Sequence, residues 1–280
     1  KIGPLVVCVE PGLNPDGAEA TLRMTLQLLE AEARARGARV LFARVDARDP
    51  ELLRAVEREG FTLVDSVVTF HIVMDDAGQL RQDKKPGEYS YPTIAGRDQS
   101  FFDVSVHTSE LASSGSLEVT IRSFEPSDLA RLQHIAKFAF RHDHFHSDPR
   151  IPPKVADEVY VTWVKNSCQG RADAVLVAEE PGNLDGVSGF ITCRLDRAVL
   201  NVAGIPHGII ELVAVSPEAQ GRGIGVALVL GSLEWFARHG FRSVEVGTQS
   251  RNTQAMRLYH RCGFKCVAFS HTFHKWIAGP

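Results

Sequence analysis

Residues 216–227 read SPEAQGRGIGVA, with glycines at 221, 223 and 225. Just ahead lies GIIELVAV, residues 208–215, the most apolar strand-like run of the chain. Behind it an apolar run continues to about Arg238 and reads as a helix. Glycine loses more conformational entropy on folding than any other residue. Three of them between a strand and a helix mark a backbone that something approaches closely. Amides at a helix N-terminus carry about half a positive charge, so the loop is read as a seat for phosphate. A strand–glycine–helix unit of this kind places the chain in the α/β class, with mixed α+β character.

Three phosphate loops compete for this segment. A dinucleotide fingerprint needs Gly-x-Gly-x-x-Gly. Counted from Gly221 its third glycine falls on Val226, and from Gly223 on Leu228. A P-loop needs Gly-x4-Gly-Lys-Ser/Thr, and the sequence has no such string. The pattern left is Gln/Arg-x-x-Gly-x-Gly/Ala, met by Gln220, Gly223 and Gly225, with Arg222 as a mobile cation.

Other features narrow the function classes. A net charge of −3 supplies no basic field for nucleic acid. No apolar run reaches the roughly 18 residues of a membrane helix, and no secretory signal pattern opens the sequence. The five cysteines (8, 168, 193, 262 and 266) are loosely spaced and form no Cys-x-x-Cys pair. They read as reduced core thiols of a cytoplasmic protein.

Along the chain, strands are expected at residues 5–9 and 40–45, and helices over about 18–36 and from Asp49-Pro50, where Asp caps and Pro fits the first turn. Residues 61–73 return as β structure, 75–100 read as a loop, and SELASSGS at 109–116 reads as a linker. A second unit opens at Leu117 with a strand and an amphipathic helix, followed by a helix over about 154–166 and strands at 174–178 and 187–194. After the glycine loop and its helix come a strand at 243–248, a short helix capped by Asn252, and two final strands in KCVAFSHTFHKW.

Residues 54–71 and 257–274 align without a gap. Arg54, Arg58, Gly60, Phe61, Val64, Thr69, Phe70 and His71 each recur 203 positions later, and Asp49 aligns with Asn252 at a helix cap. Two related α/β domains in tandem are expected: residues 1–108, smaller and lacking the glycine loop, and residues 117–280. Val56 stands where the second repeat has Tyr259.

From Leu117 onward the order of these segments, IELVAVSPEAQGRGIGVALV then VEVGTQSRNTQAMRLYHRCGF, resembles the GNAT superfamily of acyl-CoA N-acyltransferases. The segments FRHDHFHSDPR, VYVTWVKNSCQG, VGTQSRNTQA and FSHTFHKW, together with ARVDARDPELLRAVEREGFTLVD in the first domain, are similar to WecD-type sugar-nucleotide acetyltransferases. The resemblance implies two tandem GNAT-like domains, the first degenerate, with acetyl-CoA as acyl donor. It implies a CoA diphosphate on Gln220, Gly221, Arg222, Gly223, Ile224, Gly225 and Val226. It also implies a pantetheine arm paired with Leu212, Val213, Ala214 and Val215 and touched by Asn252. The aromatic-aromatic-Gly segment that such enzymes carry near the N-terminus has no counterpart, which leaves part of the acceptor pocket unassigned.

Acetylating an amine needs a base and a proton for the departing thiolate. Tyr259 falls where the family places its general acid. Glu211 and Asp65 compete as the base, and either could instead pair with an arginine. Thr248, Gln249 and the segment His144, Phe145, His146, Asp148 and Arg150 are expected to line the acceptor site. His142, His144 and His146 alternate, but no further metal ligands accompany them, so no metal is expected. Tyr160 and Trp163 share a helix face and suit core packing more than stacking on a base. The expected function is N-acetylation of a nucleotide-linked amino-deoxy sugar. The alternatives are another amine, such as a protein N-terminus or small molecule, or a silent acyl-CoA sensor. The sequence does not fix the oligomer; a homodimer is the assembly it leaves open.

Overall fold

The computed structural model describes residues 5–8, 18–74, 103–107, 118–181, 186–196 and 207–277. In chain order the elements are β1 (Leu5–Cys8), α1 (Ala18–Ala35), β2 (Val40–Asp46), α2 (Pro50–Arg58), β3 (Thr62–Val73), β4 (Asp103–His107) and β5 (Glu118–Ser123). Then follow α3 (Leu129–Ala139), α4 (His144–Ser147), α5 (Pro153–Asn166), β6 (Ala174–Glu179), β7 (Gly189–Asp196) and β8 (His207–Val215). The chain closes with α6 (Ile224–Arg238), β9 (Ser243–Gln249), α7 (Thr253–Arg261) and β10 (Lys265–Trp276). The expected loop at 75–100 and linker at 109–116 lie outside the described residues.

Two compact units emerge, and they do not follow the linear division at the linker. The first contains residues 1–69, 249–251 and 267–280; the second contains 70–248 and 252–266. The physical reason is strand pairing. In the first unit β1 runs parallel to β2, and β2 takes β10 as its antiparallel partner, Phe273 opposite Ala43. The last strand of the chain therefore completes the first unit. In the second unit the end of β3 lies at β9: His71 Nε2 meets Ser243 Oγ at 2.8 Å, and the Met74 amide donates to the Arg242 carbonyl at 2.8 Å.

The repeat is present element by element. β2, α2 and β3 have the same lengths as β9, α7 and β10. Asp49 accepts the Leu52 amide at 2.9 Å, and Asn252 accepts the Ala255 amide at 3.1 Å. Each cap satisfies one of the orphan donors at a helix start. Gly60 and Gly263 follow the two helices at φ +83° and +88°, a region open mainly to glycine. β10 is one strand of 12 residues rather than the two expected. KCVAFSHTFHKW contains no Gly, Pro, Asn or Asp with which to turn.

The core of the first unit gathers Leu26 and Ala33 from α1, Leu41, Ala43 and Val45 from β2, Val56, Phe61 and Phe273. In the second unit β4 to β8 form an antiparallel ladder in sequence order, and β8 pairs parallel with β9. α6 packs on this sheet and is buried along nearly all its length, from Ile224 to Phe236. At Gly231 a Cβ would come within 2.8 Å of Ile121 on β5, so the helix can lie this low only with glycine there.

Candidate active site

β8 alternates strictly. Ile210, Leu212 and Ala214 are buried, while Glu211, Val213 and Val215 share the other face, as the period of a strand requires. Opposite Thr192 and Cys193 the register to β7 shifts, and Glu211 is the extra residue. At this bulge the Leu212 amide donates to Thr192 Oγ1 at 3.0 Å. The parallel ladder with β9 runs from Gly208↔Val244 to Ile210↔Val246 and goes no further among the described residues. Leu212 to Val215 stay paired with β7 on one edge only.

The glycine loop follows directly. Gly221 and Gly223 have φ +77° and +87°, so two of the three glycines serve backbone geometry. Gly225 serves packing: a Cβ there would sit 3.3 Å from Leu258 of α7. The successive amides of Gly221 through Val226 donate to no protein acceptor among the described residues. This row of donors at the start of α6 is a site for an anion. Gln220 reaches back with Nε2 to the Val215 carbonyl at 3.3 Å.

Arg222 is not the mobile cation expected. Its Nη2 donates to Glu180, a carboxylate only 5% exposed just after β6, and Ser188 Oγ donates to the same group. On the other side, Arg131 of α3 reaches Glu218 at 2.5 Å and the Val187 carbonyl at 3.2 Å. Sequence reading missed both anchors. Glu180 lies 42 residues from Arg222, and no local pattern links them.

Glu211 Oε1 accepts from Arg194 Nε at 3.0 Å, the arginine pairing foreseen as its alternative. Its Oε2 is buried with no hydrogen-bond partner among the described residues. His207 opens the same strand, Asp196 and Glu245 lie on the adjoining β7 and β9, and burial pushes the Glu245 carboxyl above its ordinary range. Tyr259 is 5% exposed, flanked by the rings of Phe70 and Phe264, and burial pushes its phenol well above the usual value. It therefore holds its proton across physiological pH. Val56, its repeat counterpart, is equally buried; packing explains the burial of both, and the hydroxyl is what Tyr259 adds. Thr248 is buried and Gln249 half-buried at the end of β9. Asp65 belongs to the first unit, where it is buried and accepts the Ser66 amide at 2.8 Å.

The histidine segment is largely committed to its own folding. Asp143 caps α4 through the Phe145 and His146 amides. His146 sits between Asp143, at 2.5 Å, and Asp157, at 3.0 Å, with Arg141 also on Asp157. Phe145 packs edge-on to Tyr160, and Asp148 takes the Arg150 guanidinium at 3.0 Å. His144 lies against the Phe145 ring. Tyr160 is stacked between Phe140 and Trp163, so it packs. Among the described residues no cluster of three or more His, Cys, Asp or Glu could hold a metal ion, and no helix is long and apolar enough to cross a membrane.

Comparison with known proteins is consistent with this geometry. The profile of the acetyltransferase (GNAT) family matches residues 131–264. The spore coat polysaccharide biosynthesis protein SpsD of Bacillus subtilis is 29% identical over 152 residues, 54% of this chain and 49% of that protein. The dTDP-fucosamine acetyltransferase of Escherichia coli is 25% identical over 139 residues, 50% of this chain and 55% of that one. A mycothiol acetyltransferase of Actinosynnema mirum is 42% identical over 148 residues, 52% and 44% of the two chains. The chain thus spans about half the length of the curated relatives it matches. Among solved structures, a tandem GNAT protein from the clavulanic acid pathway superposes with TM-score 0.59 at 14% identity, over 99% of this chain and 77% of that one. A GCN5-related N-acetyltransferase from Sphaerobacter thermophilus gives TM-score 0.59 at 19% identity, over 98% and 74%.

Proposed function

Because residues 131–264 are a GNAT acetyltransferase domain, we propose that this chain transfers the acetyl group of acetyl-CoA to the amine of a nucleotide-linked amino-deoxy sugar. One observation carries the donor half. The β8–β9 ladder stops at Ile210↔Val246, so Leu212–Val215 offer one strand edge beside the free amides of Gly221–Val226. An extended arm can pair with such an edge while its diphosphate rests on the loop. Asn252 then contacts the arm while capping α7.

In the reaction the amine nitrogen attacks the thioester carbon. Its proton passes to Glu211, directly or through a water, at the unpartnered Oε2. A backbone amide of β8 stabilises the oxyanion. As the carbon–sulfur bond breaks, the thiolate takes the Tyr259 phenolic proton. Burial keeps the phenol protonated and so able to donate, while making it a weaker acid than a free phenol. Thr248 and the 144–150 segment are assigned to the acceptor side.

The acceptor half is supported by the names of two relatives, the spore coat polysaccharide protein and the dTDP-fucosamine acetyltransferase. The higher identity to a mycothiol acetyltransferase favours a second reading, a different small-molecule amine. The deciding experiment measures thiol release from acetyl-CoA against a panel of nucleotide amino sugars and the mycothiol acetyltransferase acceptor. Turnover of at least one nucleotide sugar is expected. Tyr259→Phe should lower kcat by about 100-fold or more. Turnover of the mycothiol acceptor alone would replace the preferred acceptor, and full activity of the Phe variant would remove Tyr259 as the acid.

A further inference from the structure

Glu180 presents a problem of sign. A carboxylate that is 96% buried stands beside a loop whose free amides suit an anion. Buried charge is costly unless it is paired and hydrogen-bonded. Both conditions are met, because Ser188 donates to one oxygen and Arg222 to the other. The Arg222 side chain is nevertheless 46% exposed, and its Nε and Nη1 have no acceptor among the described residues. One edge of the guanidinium is pinned, and donors remain for a second anion.

We infer that Glu180 is a positioning residue for the coenzyme A diphosphate, acting through Arg222. The inference rests on the acetyl-CoA reading above. The planar fork of an arginine can bridge two acceptors, which the point charge of a lysine does less well. Pinning one edge removes rotamer freedom before the ligand arrives and so lowers the ordering cost of binding. A second ion pair, Arg131 with Glu218, holds the other end of the loop with opposite polarity, but its carboxylate side is 57% exposed and it contributes little. The buried pair is the one that aims a cation.

The dependence has a direction that structural support alone would not show. With Arg222 present, Glu180 strengthens coenzyme A binding. With Arg222 removed, the same carboxylate becomes an unneutralised negative charge beside the diphosphate and opposes it.

The test is a double-mutant cycle on coenzyme A binding, read by calorimetry on the full chain. Glu180→Gln should weaken binding on the order of 10-fold, as should Arg222→Gln. In the Arg222→Gln background, Glu180→Gln should leave affinity unchanged or improve it. An equal loss in both backgrounds, or no loss in either, would overturn the proposal while leaving the acetyl-CoA reading intact. Absence of coenzyme A binding by the wild type would overturn both. If Glu180→Gln melts, Arg222→Lys on the half-exposed side chain decides. Binding weakened on the order of 10-fold supports the bridging guanidinium, and wild-type affinity rules it out.

Discussion

Tyr259 and Cys262, three residues apart on either side of the end of α7, are both pushed up by burial, the thiol to about 12. Cys193, fully buried on β7, moves the same way. In an unfolded chain a thiol titrates near ~8.5 and a phenol near ~10. The native state therefore keeps protons that the unfolded state has already lost. Their stabilisation is intact below about pH 8.5 and declines as pH climbs toward the folded values. The urea midpoint should accordingly fall between pH 7.5 and pH 10.5, with a shallower fall in Cys262→Ala. A midpoint that rises over that range would contradict the assignment. At this scale the sequence disclosed residues whose role is local: the glycine pair at positive φ, and the amides from Gly221 to Val226. It concealed partners brought together only by tertiary folding, such as Glu180 for Arg222 and Arg194 for Glu211.

Helices α2 and α7 show the same grammar twice: an Asx cap, nine helical residues and a glycine at positive φ. Local chemistry writes that unit, so it is legible in the sequence alone. Replacing Asn252 with Ala should cost about 1 kcal/mol of stability through the lost bond to the Ala255 amide. Asn252→Asp should restore the cap, because either side chain accepts that hydrogen. Thermal melts of the two variants check this. If they lose stability equally, capping is not what Asn252 contributes. What the unit does not encode is its strand's neighbour. β3 and β10 carry the same Thr-Phe-His, and alternation along a strand is indifferent to which edge it meets.

For the whole molecule, the division into units is set by that indifference. The first unit closes on the last strand of the chain, Val40–Asp46 against Ser270–Trp276. The sequence revealed two related halves but not this exchange, because composition and linker signals report only what is adjacent along the chain. Removing residues 265–280 should therefore damage the first unit. Hydrogen exchange in the truncated protein should show β2 losing its amide protection while β6 and β7 retain theirs. Protection lost at β6 and β7, with β2 intact, would refute the pairing.

The borrowed strands also bear on how such a chain can change over generations. Because each unit includes a segment from the far side of the sequence, neither stretch can be deleted, transposed or recombined alone without leaving a sheet short. The N-terminal stretch carries no counterpart of the glycine loop, yet it supplies the end of β3 and receives β10. Strand pairing alone is enough to tie this stretch to the rest of the chain.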